Sequence, residues 1–253
     1  MLSLFLLSAY KCSAIQGTTR PLYRSLSSKP MALTTLIFGA TGTTGKYVVD
    51  AALEAGDIVI AYIRSPSKVP DDMRSKITVI QGDLLDQEGV TRAVRDSRPD
   101  AIVIASGNPP GSPETDLNFK LVPWMVEELR NENRLEKVRL VYLSGYLALP
   151  PDSPPSPGYM DNFSPGGPFF AIRAAVMDNM KVTAYLYEEA SRDEKLDFTI
   201  VRMGMVTEAP TKGRLKIGQK PADSVTFRDM GVFLVELSHD LGQARRKAVL
   251  ADY

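Results

Sequence analysis

Gly39, Gly42 and Gly45 stand three residues apart in LIFGATGTTG, directly behind the apolar run that ends at Phe38. Glycines at a strand end let a diphosphate come within hydrogen-bonding distance of backbone N–H groups, where a side chain would stand in the way. In that reading Gly39 makes the tight turn, Gly42 clears the approach to a pyrophosphate, and Gly45 lets helix and strand pack closely. The helix opening behind them adds unpaired N–H groups and a partial positive charge. Thr41 belongs to the same loop, and Thr43 and Thr44 add hydroxyls. The competing reading is a glycine-rich turn that holds nothing.

The residues that choose the nucleotide belong at the end of the second strand, where an acid accepts from a ribose 2′-OH and a base accommodates a 2′-phosphate. Here the chain reads Ile63-Arg64-Ser65-Pro66-Ser67-Lys68, and the nearby acid, Asp57, sits at the other end of that strand. Arg64, Ser65 and Lys68 therefore predict NADP(H) over NAD(H).

Positioning these groups requires a particular frame. From Leu33 onward, short β-branched runs (TTLIFG, DIVIAYIR, KITVIQGD, PDAIVIAS, KVRLVYLSG, LDFTIVRMG) alternate with amphipathic stretches. Near-continuous apolar strands between helices predict an α/β fold: a doubly wound parallel sheet covered on both faces, of Rossmann type and single-domain, with strand order 3-2-1-4-5-6. Ligands in such sheets bind beyond the carboxyl ends of the strands, at Phe38-Gly39, Arg64, Asp83, Ser106 and Ser144. Pro123 predicts a first turn or a kink in its helix. The link over residues 149–169 carries seven prolines and is too long for an ordinary connection; it is either a lid over the substrate or a disordered insertion, and its place after the fifth strand favours the lid.

Composition excludes several functions. With 253 residues and zero formal net charge, the chain has no nucleic-acid footprint. One cysteine, Cys12, and one histidine, His239, leave no zinc site and no intramolecular disulfide. No segment is long and apolar enough to span a bilayer, so neither nucleic acid nor a membrane is expected as partner. Residues 1–31 contain no acid and scatter Lys11, Arg20, Arg24 and Lys29 among Ser, Thr and Leu, as a mitochondrial transit peptide does; secretory and untargeted readings stay open. Met31 offers an alternative start for a cytosolic form, and residues 32–253 form the nucleotide-binding domain.

GATGTTG, the Arg64 strand end, QGDLLD at Gln81 to Asp86 and DFTIVRMG at Asp197 to Gly204 resemble the atypical, NmrA-like branch of the short-chain dehydrogenase family, within it most the NADPH-dependent flavin reductase and biliverdin-IXβ reductase group. The resemblance implies that Asp83 and Leu84 sit against the adenine and that Ser106 and Gly107 lie beside the phosphate and ribose. It also implies Ser144 near the nicotinamide, with Met203 and Gly204 closing that side of the pocket.

The commoner members of that family protonate a carbonyl with a tyrosine four residues before a lysine. This chain has no YxxxK; at the expected place it reads Met177-Asp178-Asn179-Met180-Lys181. A flavin, quinone or linear tetrapyrrole needs no such donor, because it delocalises the incoming charge and takes its proton from water. Ser144 then orients substrate or nicotinamide, or merely caps a strand end, and Tyr146 with the proline-rich loop forms an apolar wall. Tyr159 is a proton donor only if the loop folds inward, Lys181 reads as a solvated helix residue, and His239 as a capping or surface histidine. The expected partner is a small-molecule acceptor; the alternatives are a non-catalytic NADP(H)-binding redox sensor and an assembly factor that keeps the nucleotide as a structural element.

Overall fold

The computed structural model describes residues 31–253 apart from 114, 115, 154, 241 and 243, so the expected leader over residues 1–31 lies, except for Met31, outside the described residues. Strands and helices alternate as β1 (Thr34–Phe38), α1 (Gly45–Ala55), β2 (Ile58–Ile63), α2 (Asp71–Arg74), β3 (Thr78–Gln81), α3 (Gln87–Ser97), β4 (Ala101–Ile104), α4 (Leu117–Asn131), β5 (Arg139–Gly145), α5 (Arg173–Arg192) and β6 (Phe198–Met203). The six strands pair in parallel in the order β3-β2-β1-β4-β5-β6, as their apolar runs predict. The chain continues with β7 (Met205–Thr207), β8 (Lys216–Gly218), β9 (Ser224–Thr226), α6 (Phe227–His239) and β10 (Lys247–Asp252). β10 extends the sheet parallel to β6, β8 closes its edge antiparallel to β10, and β7 and β9 form a separate two-stranded sheet.

Alternation along each strand divides the core. Phe38, Ile104, Leu140, Tyr142, Phe198 and Ile200 face α3, α4 and α5, whereas Ile37, Val103, Val141 and Val201 face α1 and α6. Burial of each such side chain contributes roughly 1.5–3 kcal/mol, and burial on both faces is why the strands read as unbroken apolar runs. Local signals set the helix ends. Gly56, at φ 91°, ends α1 in the left-handed conformation, and the Thr226 hydroxyl accepts the Asp229 N–H at 3.1 Å to start α6.

Pro123 sits in the second turn of α4, not its first, where the missing N–H leaves the Phe119 carbonyl without its helical donor. The 149–169 loop folds around a small aromatic core of its own: Phe163 is fully buried, with ring centroids 5.3 Å from Tyr159 and 5.9 Å from Phe169.

Candidate nucleotide and acceptor site

The three glycines have separable reasons. Gly39 adopts φ 84°, and a Cβ built there would stand 2.6 Å from the Ser106 nitrogen. A Cβ on Gly45 would stand 1.9 Å from the Gly39 carbonyl oxygen. The fold itself requires both. At Gly42 the N–H donates to the Gly39 carbonyl at 2.9 Å, and an added Cβ would come no closer than 3.1 Å to that oxygen. The protein alone has little need of glycine there, whereas a group approaching from outside does. Thr41, Gly42 and Thr43 are exposed, Thr44 makes no side-chain cap, and no acid lies in the first turn of α1 to neutralise its positive end. This donor set fits a dinucleotide pyrophosphate.

At the end of β2, Arg64 is exposed and makes no ion pair among the described residues. Ser65 begins a single 3₁₀ turn, Pro66–Lys68, closed by the Lys68 N–H on the Ser65 carbonyl at 3.0 Å. Arg74 pins this turn through the Pro66 carbonyl at 2.9 Å. Asp57 is buried at the opposite end, where it accepts from the Leu33 N–H at 3.1 Å and the Thr35 hydroxyl at 2.8 Å and lies 3.0 Å from His239 Nε2. It is therefore unable to reach a ribose. Burial pushes its carboxyl up, but the bonds from His239, Leu33 and Thr35 outweigh this and hold it below the usual value. His239, read from sequence as a capping or surface residue, is instead a largely buried partner of Asp57.

Beyond β3, Asp83 accepts the Leu85 N–H at 2.9 Å in a local turn, its carbonyl accepts from Tyr62 Oη at 3.1 Å, and Leu84 packs against the core. Beyond β4, Gly107 is exposed with open space where a Cβ would be. Ser106 is held by residues that sequence reasoning missed. Its hydroxyl donates to Asn118 Oδ1 at 2.7 Å, and Asn118 Nδ2 donates to the Ser106 carbonyl at 3.0 Å. Tyr142 Oη bonds Asn179, and Asp178 accepts the N–H groups of Asn118 and Phe119, each at 2.9 Å, so α5 caps α4. Burial raises the Tyr142 phenol well above its ordinary value and keeps it neutral. The available signal was Asp178-Asn179, two polar residues on the inward side of an otherwise amphipathic helix.

Ser144 and Met203 lie at the ends of neighbouring strands, but their side chains face opposite sides of the sheet, Met203 packing with the α1 and α6 side. On β5 and β6, Ser144 is the register partner of Arg202, and Gly145 of Met203. The Ser144 hydroxyl is buried with no hydrogen-bond partner among the described residues. Tyr146 is exposed; its N–H donates to the Met203 carbonyl at 2.7 Å, and its ring lies 5.3 Å from the Arg202 guanidinium. It thus covers a cation, a role the expectation of a purely apolar wall omitted. Tyr159, a proton donor only if the loop folded inward, instead donates to the Leu147 carbonyl. Lys181 is not simply solvated, because it pairs with Asp116 at 2.5 Å.

The anaerobillin reductase ChuY of Escherichia coli O157:H7 superposes with a TM-score of 0.65 at 19% identity, covering 86% of this chain and 96% of that one. The Bordetella bronchiseptica enzyme WbmH, solved in complex with NAD+, gives 0.56 at 18% identity, covering 86% and 75%. At these identities the likeness is one of fold. A phenylcoumaran benzylic ether reductase of Nicotiana tabacum is 36% identical over 69 residues, which span 24% of this chain and 22% of that relative. The model of the NAD(P)H-binding family matches residues 39–240, most of the chain, and the protein belongs to that NmrA-like family.

Proposed function

We propose that the protein is an NADPH-dependent oxidoreductase that reduces a flat conjugated small molecule (a flavin, quinone or tetrapyrrole-like acceptor) without a Tyr/Lys catalytic pair. The observation that carries this reading is the state of Lys181: Met177 occupies the place of its tyrosine, and Asp116 holds its ammonium 2.5 Å away. A bound reduced nicotinamide supplies a hydride. The chain's own residues bind and orient. The amides around Gly42 and Thr43 receive the pyrophosphate, Arg64 with Ser65 and Lys68 takes the 2′-phosphate, and Asp83 and Leu84 flank the adenine. Ser106, fixed by Asn118, lines the ribose side. Ser144, with its hydroxyl uncommitted, orients the reacting rings, Met203 closes the end of the neighbouring strand, and water provides the proton. The acid-free leader supports import into the mitochondrion, with a cytosolic form starting at Met31.

Stopped-flow and steady-state assays of NADPH oxidation with FMN, quinones and bilins test the reading. Turnover well above that of an Arg64→Gln variant supports it. Tight NADP(H) binding with no turnover across the panel would instead assign the protein to the non-catalytic sensors.

A further inference from the structure

On the α5 side of the sheet, a cavity of about 260 Å³ lies between the 149–169 loop, α5, β6, β8 and β10; Asp152, Tyr187, Arg202, Ile217 and Lys247 are among its lining residues. Its position relative to Ser144 follows from strand alternation. Tyr142 on β5 and Ile200 on β6 face α5, so Ser144 and Arg202, two residues further along each strand, face the same way and are register partners. Two buried polar groups without partners, the Ser144 hydroxyl and Arg202 Nε, therefore stand on neighbouring strands.

Arg202 is only 8% exposed. Its hydrogen bond goes to the neutral Tyr146 carbonyl, at 2.7 Å, and among the described residues no carboxylate pairs with it. Asp152 also lines the cavity and attracts Arg202 through space, but no hydrogen bond or ion pair joins the two. Tyr187 adds a second donor: its oxygen accepts the Ala248 N–H at 3.1 Å, and its own proton has no acceptor among the described residues. A guanidinium taken out of water with no carboxylate bonded to it is costly, and the group that would offset this cost is an anion in direct contact. The size narrows the choice, since whole ligands occupy about 300–1,000 Å³ and this cavity is smaller, suited to a substituent.

We propose that this cavity is an acid-binding subsite beside Ser144, which takes a carboxylate or phosphate arm of the acceptor through Arg202 and Tyr187. The proposal rests on the reductase reading for the identity of the ligand, but the anion site itself does not. Calorimetric titration of the full chain with benzoate and with inorganic phosphate reads the site without turnover. FMN and riboflavin, which share one ring system and differ by a phosphate, read it in catalysis. In wild type, both anions are expected to bind, and the KM for FMN to lie roughly ten- to hundredfold below that for riboflavin. Arg202→Gln and the milder Tyr187→Phe are each expected to weaken anion binding tenfold or more and to bring the two KM values together. Anion binding with no turnover of any acceptor sustains the site and removes the reductase reading. Turnover with equal KM values and no anion binding overturns the site and leaves the reductase reading standing. Anion binding that both variants retain, or that coexists with equal KM values in wild type, also overturns the proposal, the latter by identifying a free-anion site.

Discussion

Replacing Gly42 and Gly45 one at a time by alanine separates what the fold needs from what a nucleotide needs. Gly42 is not among the positive-φ residues, and a Cβ there meets only the Gly39 oxygen, at 3.1 Å. The turn must give by a few tenths of an ångström, at a cost of about 1 kcal/mol, and the smaller entropy of the unfolded chain returns about 0.4–1 kcal/mol. Gly42→Ala should therefore melt within about 4 °C of wild type. Its methyl group, however, projects where the phosphates must approach. Losing even one charge-assisted bond of about 1.5–3 kcal/mol weakens NADPH by roughly one to two decades. In Gly45→Ala the Cβ lies 1.9 Å from the Gly39 carbonyl oxygen, backbone against backbone, and no rotamer relieves it. That variant should lose more than about 3 kcal/mol and melt at least about 6 °C lower. Differential scanning fluorimetry and NADPH titration of both proteins decide the matter. A Gly42→Ala protein that melts like Gly45→Ala, or one that binds NADPH like wild type, refutes the division of roles.

Other consequences can be measured directly. Lys181→Met should leave NADPH affinity within about twofold in a direct titration, because Asp116 already holds the ammonium. Phe163→Ala removes the centre of the aromatic cluster in the 149–169 loop, at about 3–5 kcal/mol, and should make that loop the first site of cleavage in limited proteolysis. Asp57, held below the usual value, stabilises the fold above about pH 4 and loses that contribution as pH falls through its lower folded value. The difference in urea stability between wild type and Asp57→Asn should therefore shrink as pH falls below about 4. Asp178→Ala, which strips the cap from α4, should cost about 1–3 kcal/mol in the same assay.

The parallel order of β1 to β6 was legible because burial on both faces forces each strand to be apolar throughout, a signal that survives without any partner. The glycine turn was legible because its backbone demands are local. β8 and the β7–β9 pair were not, since strands of three residues carry no period. The support of Ser106 was also hidden: Asn118 meets Asp178 across 60 residues of chain, and no local pattern announces such a pair. Arg202 carried a visible signal, a charge at an inward position of the apolar strand FTIVRM, but its meaning depends on Tyr187 and β10, which only the tertiary fold brings alongside. Asp57 was placed at the far end of its strand from sequence alone, whereas its bond to His239 closes over 182 residues.

Isothermal titration of NADPH and of NADH into wild type and Arg64→Gln tests the central claim most directly. The prediction is that wild type binds both and prefers NADPH, and that the variant loses roughly one to two decades for NADPH while NADH is unchanged. Equal loss for both cofactors, or no heat with either in wild type, contradicts the claim.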